Sequence, residues 1–146
     1  MEYKMTQLTE QDARQMIVVA NTRNADRIVD QYTDDATFQG SSMDAPLRGK
    51  SAIREYLKDS FTAFPDWTID ISKVFVSADE TVIVNSVSGT HTGPRTGKDG
   101  KPIAPTHKKF VQDEMTRVVI NQNGKVVSLR SYGSPMEADR QPTLSK

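Results

Sequence analysis

Phe110-Val-Gln-Asp-Glu-Met-Thr-Arg-Val-Val-Ile120, then Asn121-Gln-Asn-Gly124, then Lys125-Val-Val-Ser-Leu-Arg-Ser-Tyr132 is the stretch that decides the fold. Two runs rich in β-branched residues flank a turn containing Asn-Gly, which predicts a β-hairpin. Side chains alternate across a strand, so of the adjacent acids Asp113 and Glu114 one points to each face of the sheet. One carboxylate is therefore aimed at whatever the sheet covers.

Upstream, the pattern changes from strands to helices. Trp67, Ile69 and Ile71 alternate with Thr68, Asp70 and Ser72, and Val74-Phe75-Val76 extends that strand. Ser77 to Glu80 reads as a turn, Thr81 to His91 as a further strand, and Gly93 to Pro105 as a long exposed connection. Lys50 to Phe64 carries Ile53, Tyr56, Leu57, Phe61 and Phe64 at spacings of three and four, an amphipathic helix closed by Pro65. Gly40 to Gly49 has the composition of a loop, following a short strand that begins at Ala36-Thr-Phe38. Nearer the amino terminus, Thr9 caps a first helix, and the polar run Asn21 to Asn24 divides it from a second that Asn24 caps. Residues 134–146 read as a polar tail.

Three helices followed by antiparallel strands define an α+β fold, with helices on one face of a curved sheet and a pocket between the layers. The 146 residues fit one domain, 1–146, with a core over about 8–133. Nineteen basic and nineteen acidic residues balance, without a basic run, so nucleic acid is not an expected partner. The absence of cysteine excludes disulfides and thiolate chemistry. No apolar run approaches the ~20 residues of a membrane span, and the first residues lack a signal core, so the expectation is a cytoplasmic protein without a membrane partner.

Specific residues then resemble a known family. Tyr32-Thr-Asp-Asp-Ala-Thr-Phe38, Arg48-Gly49, Lys50-Ser-Ala-Ile-Arg-Glu-Tyr56, Phe64-Pro-Asp-Trp67, Gly89-Thr-His-Thr-Gly93 and Asn123-Gly-Lys-Val-Val-Ser-Leu-Arg130 are similar to SnoaL-like polyketide cyclases and ketosteroid-isomerase-like proteins of the nuclear-transport-factor-2 superfamily. The resemblance covers roughly Ala20 to Tyr132. It implies a conical curved sheet around three helices, an apolar internal pocket, a homodimer through the sheet and no cofactor. It places Glu114 where the isomerases carry a protonated aspartic acid. Gly40 stands where they keep the proton-shuttling aspartate, Met16 where they keep the oxyanion-binding tyrosine, and Ser131 or Ser134 where cyclase-like and epoxide-hydrolase-like members carry an aspartate.

A carboxyl in an apolar pocket resists ionising and serves as a general acid, or as a base once ionised. Glu114 is the first candidate and Asp113 the second; the bland alternative pairs the inward acid with Arg117 or Arg130. His91 is a candidate proton carrier, Arg130 a clamp for developing negative charge, and Tyr132 a hydrogen-bond partner on the same face as Arg130. Phe38, Tyr56, Phe61 and Trp67 are the expected pocket walls, and Asp44 a possible substitute base from the loop. His91, His107, Asp113 and Glu114 show no tight metal-ligand spacing, so no metal is expected. These residues together predict a cofactor-independent isomerase, aldol-type cyclase or lyase for a small hydrophobic carbonyl compound. The alternatives are a noncatalytic binding or assembly module on the same fold, and an epoxide hydrolase.

Overall fold

A computed structural model describes residues 8–77, 80–97 and 99–133. The tail from 134 onward and the first seven residues lie outside them. The helical layer comprises α1 (Glu10–Ala20), α2 (Ala25–Val29) and α3 (Lys50–Ala63). Thr9 begins α1 with a reciprocal cap: its hydroxyl accepts from the Asp12 amide at 3.0 Å, and the Asp12 carboxylate accepts from the Thr9 amide at 3.1 Å. The polar run that divides α1 from α2 has a structural use. The Asn21 amide group donates to the Ile69 carbonyl at 2.9 Å and accepts from the Ile69 amide at 2.8 Å, so it docks the helices on a strand backbone. Asn24 then caps α2 by accepting from the Arg27 amide at 3.2 Å.

The sheet contains β1 (Tyr32–Gln39), β2 (Leu47–Arg48), β3 (Thr68–Val76), β4 (Glu80–Thr90), β7 (Lys109–Ile120) and β8 (Val126–Gly133). A separate two-residue ladder joins β5 (Arg95–Thr96) to β6 (Pro102–Ile103). The order across the main sheet is β2-β1-β8-β7-β4-β3, curved and not closed. Three details differ from the sequence expectation. The loop before α3 forms the two-residue strand β2, and the exposed connection after β4 contains the β5–β6 ladder. In addition, β1 joins β8 in parallel, because the chain returns to that edge only after crossing α3 and the other strands.

The predicted hairpin is present as β7 and β8. Asn121 closes it through its side-chain oxygen, which accepts from the Asn123 amide at 2.9 Å and the Lys125 amide at 3.0 Å, while Gly124 takes φ 77°. Ile53 and Leu57 of α3, Val29 of α2, Ile83 of β4, and Val118 and Val126 of the hairpin pack into one core. That core fills the end of the molecule near the hairpin turn. The same inner sheet face becomes polar toward the other end of β7.

Candidate functional site

Along β7 the inward positions run Gln112, Glu114, Thr116, Val118 and Ile120, and all but Glu114 are buried below a tenth of their surface. Glu114 is half-buried. It pairs in register with Asn85 on β4 and Gly133 on β8. Its two carboxyl oxygens are held from opposite sides: the Ser41 hydroxyl donates to Oε2 at 3.1 Å, and the Asn85 amide donates to Oε1 at 3.3 Å. Behind these donors stands a second tier. Gln112 Nε2 donates to Ser41 Oγ at 3.0 Å, and the Thr116 hydroxyl donates to Asn85 Oδ1 at 2.9 Å. The Thr116 proton is thereby used, so Ser131, 2.9 Å away, donates to the Thr116 oxygen. Each donor has one orientation, and the chain of bonds fixes the Glu114 carboxyl in place.

Burial raises the Glu114 pKa above its ordinary 4.5, with the hydrogen bonds from Ser41 and Asn85 pulling the other way. Tyr56 of α3 borders the same region. Its ring lies 5.6 Å from that of Phe38, and its hydroxyl faces Gly40, where a Cβ would stand 3.8 Å from the oxygen. Although one edge of the Tyr56 side chain is exposed, burial of the hydroxyl raises its pKa. Hydrogen bonding to Ser60 opposes that rise, the charges of Glu114 and Asp59 add to it, and that of Arg95 lowers it. Tyr56 therefore remains a protonated donor at neutral pH, within the electrostatic reach of both Glu114 and Arg95.

The structure distributes the sequence-derived candidates over different surfaces. Glu114 and Asp113 separate as alternation requires, Glu114 inward and Asp113 exposed on the outer face. Arg130 and Tyr132 share a face as expected, but it is the outer one. Leu129 and Ser131 take the inward positions of β8, and the Arg130 guanidinium lies 4.7 Å from the Tyr132 ring centroid. Neither reaches Glu114 from there. Arg117 is also turned outward and pairs with Glu80 at 2.7 Å, so among the described residues the inward acid has no arginine partner. His91 is 3 % exposed and packs 5.4 Å from Phe64. It follows Asn85 by six residues along one strand, which separates it from Glu114 by roughly 20 Å.

Among the expected walls, Phe38 and Tyr56 flank the Glu114 region, whereas Phe61 and Trp67 form an edge-to-face pair at 5.4 Å elsewhere. Phe61 lines a groove of about 570 Å³ between the α1–α2 turn and α3, beside Arg23 and Lys58. Asp44 is exposed, and Met16 packs against the core. Gln112 and Thr116 share the parity of Glu114 and were within reach of the alternation argument. Ser41 and Asn85 required the register between distant segments. No group of three or more His, Asp or Glu side chains with metal-binding geometry occurs among the described residues.

Helices laid on one face of a curved, open sheet give the chain a ketosteroid-isomerase-like α+β fold. The chain belongs to the SnoaL-like polyketide cyclase family, which it matches over residues 11–142. Solved structures agree on the fold. A ketosteroid-isomerase-like protein from Catenulispora acidiphila in complex with trimethylamine superposes with TM-score 0.71 at 15 % identity, covering 92 % of this chain and 93 % of that one. A SnoaL-like polyketide cyclase from Shewanella denitrificans gives 0.70 at 15 % identity over 92 % and 96 %. The epoxide hydrolase/cyclase-like enzyme SalBIII of salinomycin pyran ring formation gives 0.68 at 19 % identity over 89 % and 97 %. Comparison with curated protein sequences gives no match. No helix among the described residues is long and apolar enough to cross a membrane.

Proposed function

We propose that this protein is a cofactor-independent acid/base enzyme that moves a proton on a small, largely apolar carbonyl compound, as an isomerase, cyclase or lyase. The observation that carries the proposal is Glu114: an inward carboxyl, shifted toward neutrality by burial, whose two oxygens are oriented by Ser41 and Asn85 and not consumed by an arginine. Ionised, it removes a proton from the carbon beside a carbonyl; protonated, it returns that proton to carbon or oxygen. Tyr56 supplies a neutral hydroxyl for the carbonyl oxygen as negative charge develops there. Asn85 and Ser41 act as positioning residues, since they hold the carboxyl rather than the substrate.

A panel of simple ketones tests this without a named substrate. Apolar aryl and alkyl ketones are incubated with the protein in deuterium oxide, and exchange at the α-carbon is followed by proton NMR. Exchange with at least one ketone is expected for the wild type, and about 10²- to 10⁴-fold less for Glu114→Gln. Equal exchange by wild type and variant removes Glu114 from the chemistry; a Glu114 signal that ignores every ketone leaves the noncatalytic binding module instead.

The proposal includes a homodimer through the outer sheet face. Met115, Val111, Phe75 and Tyr132 are each about half exposed there, the apolar side chains that such a contact would cover.

A further inference from the structure

The contact between Ser41 and Glu114 admits a second use. A nucleophilic hydroxyl is marked by a base within hydrogen-bond reach and by a further group that orients that base. Ser41 Oγ donates to Glu114 Oε2 at 3.1 Å, and the Asn85 amide holds the other carboxyl oxygen at 3.3 Å. Hydroxyl, base and orienting group therefore stand in series, on the turn after β1, on β7 and on β4. Ser41 is half-buried and followed by the exposed Ser42, so an approaching molecule can reach it. Its turn is pinned: the Met43 amide donates to the Gly40 carbonyl at 3.1 Å, Gln39 Nε2 to the Met43 carbonyl at 3.1 Å, and Gln112 Nε2 to Ser41 Oγ at 3.0 Å. Gly133 allows that approach, since a Cβ there would lie 2.6 Å from Gln112 Nε2 and 3.3 Å from Ser41 Cβ. Met43 and Tyr56 border Gly40, and Phe38 packs on Tyr56, so an apolar wall adjoins the hydroxyl.

We propose that Ser41 is a nucleophile that takes the acyl group of small apolar esters with an acidic leaving group, with Glu114 as its base. In proton transfer on a ketone the Ser41–Glu114 contact holds the carboxyl; here the same contact deprotonates the hydroxyl, a second activity that shares the base. The proton of Ser41 Oγ passes to Glu114 Oε2 as the bond from Oγ to the acyl carbon forms. The bond from that carbon to the leaving oxygen then breaks, and the leaving oxygen takes the proton back. Water repeats the sequence on the acylated serine: its proton goes to Glu114, its oxygen joins the acyl carbon, and Oγ leaves and is reprotonated. The sum is ester and water to acid and alcohol. Gln112 Nε2, beside Oγ and carrying a second N–H, is the donor for the oxyanion. A carboxylate is a weak base even when burial raises its pKa, which is why the leaving group must be acidic.

The probe is 4-nitrophenyl butyrate, mixed in excess with the full chain. Release of 4-nitrophenolate is followed by absorbance, and the quenched protein is digested and mapped by mass spectrometry. Wild type is expected to give a burst of product and a butyryl group on Ser41. The burst falls about tenfold or more in Ser41→Ala and in Glu114→Gln, and the acyl group is lost from position 41 in both. In wild type the burst rate rises with pH as Glu114 ionises and then levels, whereas adventitious acylation of surface lysines keeps rising in alkali. Thermal melts accompany each variant; should Ser41→Ala not fold, loss of the acyl group in folded Glu114→Gln carries the comparison. No acyl group on Ser41, or acylation that survives in Glu114→Gln, overturns the inference. Either result beside ketone exchange that depends on Glu114 leaves the proton-transfer reading standing. Acylation that needs both residues, beside ketone exchange that ignores Glu114→Gln, supports the nucleophile and sinks that reading.

Discussion

Burial of the Glu114 carboxyl opposes folding at neutral pH. Its pKa is higher in the folded chain than the 4.5 of an unperturbed glutamate, so between those two values the native state holds more proton than the unfolded state. Stability then falls as pH rises through that window, and remains at the lower level once both states are ionised. Glu114→Gln removes this pH dependence. The amide keeps the geometry, with its oxygen accepting from Asn85 and its nitrogen donating to Ser41, whose hydroxyl can rotate. The variant is therefore expected to melt higher than wild type at pH 7, with the two converging near pH 4, and calorimetric Tm measured across that range checks it. Asn85 tests the same carboxyl from outside. Asn85→Ala frees one Glu114 oxygen and leaves Thr116 without its acceptor, at about 1–3 kcal/mol in urea titration. It also loses the orientation of the acid, so proton exchange drops while the fold persists.

Between elements, two contacts fix the helical layer against the sheet. Asn21 exchanges two hydrogen bonds with Ile69 on the outermost strand. Asn21→Ala forfeits both and is expected to cost about 1–3 kcal/mol, since two bonds at about 1 kcal/mol each are lost, softened by water reaching an edge strand. At the other end of α3, the Thr92 and Gly93 amides both donate to the Ala63 carbonyl at 3.1 Å. Gly93 approaches so closely that any Cβ would run into the Thr62 carbonyl, which is backbone and cannot swing aside. Gly93→Ala is expected to lose about 1–3 kcal/mol, read as a lower urea midpoint at unchanged slope.

These contacts mark where sequence reasoning stopped. Helix starts at Thr9 and Asn24, the Asn-Gly hairpin and the split between Asp113 and Glu114 are local consequences of capping, turn chemistry and alternation, and all were legible. The face taken by Arg130 was not, because alternation fixes which residues share a side but not which side is covered. The pairing Thr116↔Ser131, set by the hairpin register, turns Arg130 and Tyr132 outward.

At the scale of the molecule, the two faces of one sheet carry different tasks. The inner face runs from an apolar core to the polar cluster around Glu114, and no helix among the described residues covers the outer face. On that face the register aligns Lys73, Val84, Met115 and Tyr132 in one row, and Phe75, Val82, Arg117 and Arg130 in the next. Val82, Val84 and Met115 lie beside Lys73, Arg117 and Arg130, so apolar and charged side chains alternate on this face, with Arg117 paired to Glu80. In the proposed homodimer a two-fold related copy would meet the same patch, each protomer covering the other's Met115 and Tyr132. Met115→Asp puts a charge at the centre of that contact, where the partner's identical charge repels it. Sedimentation equilibrium is expected to give twice the chain mass for wild type and a single chain mass for Met115→Asp. Glu114 and its hydrogen-bond partners lie on the opposite side of the strand, so ketone binding by the separated chains should change less than threefold, about 0.6 kcal/mol. A wild type that stays monomeric at tens of micromolar, or a Met115→Asp protein that still dimerises, would show that the outer face does not join two copies.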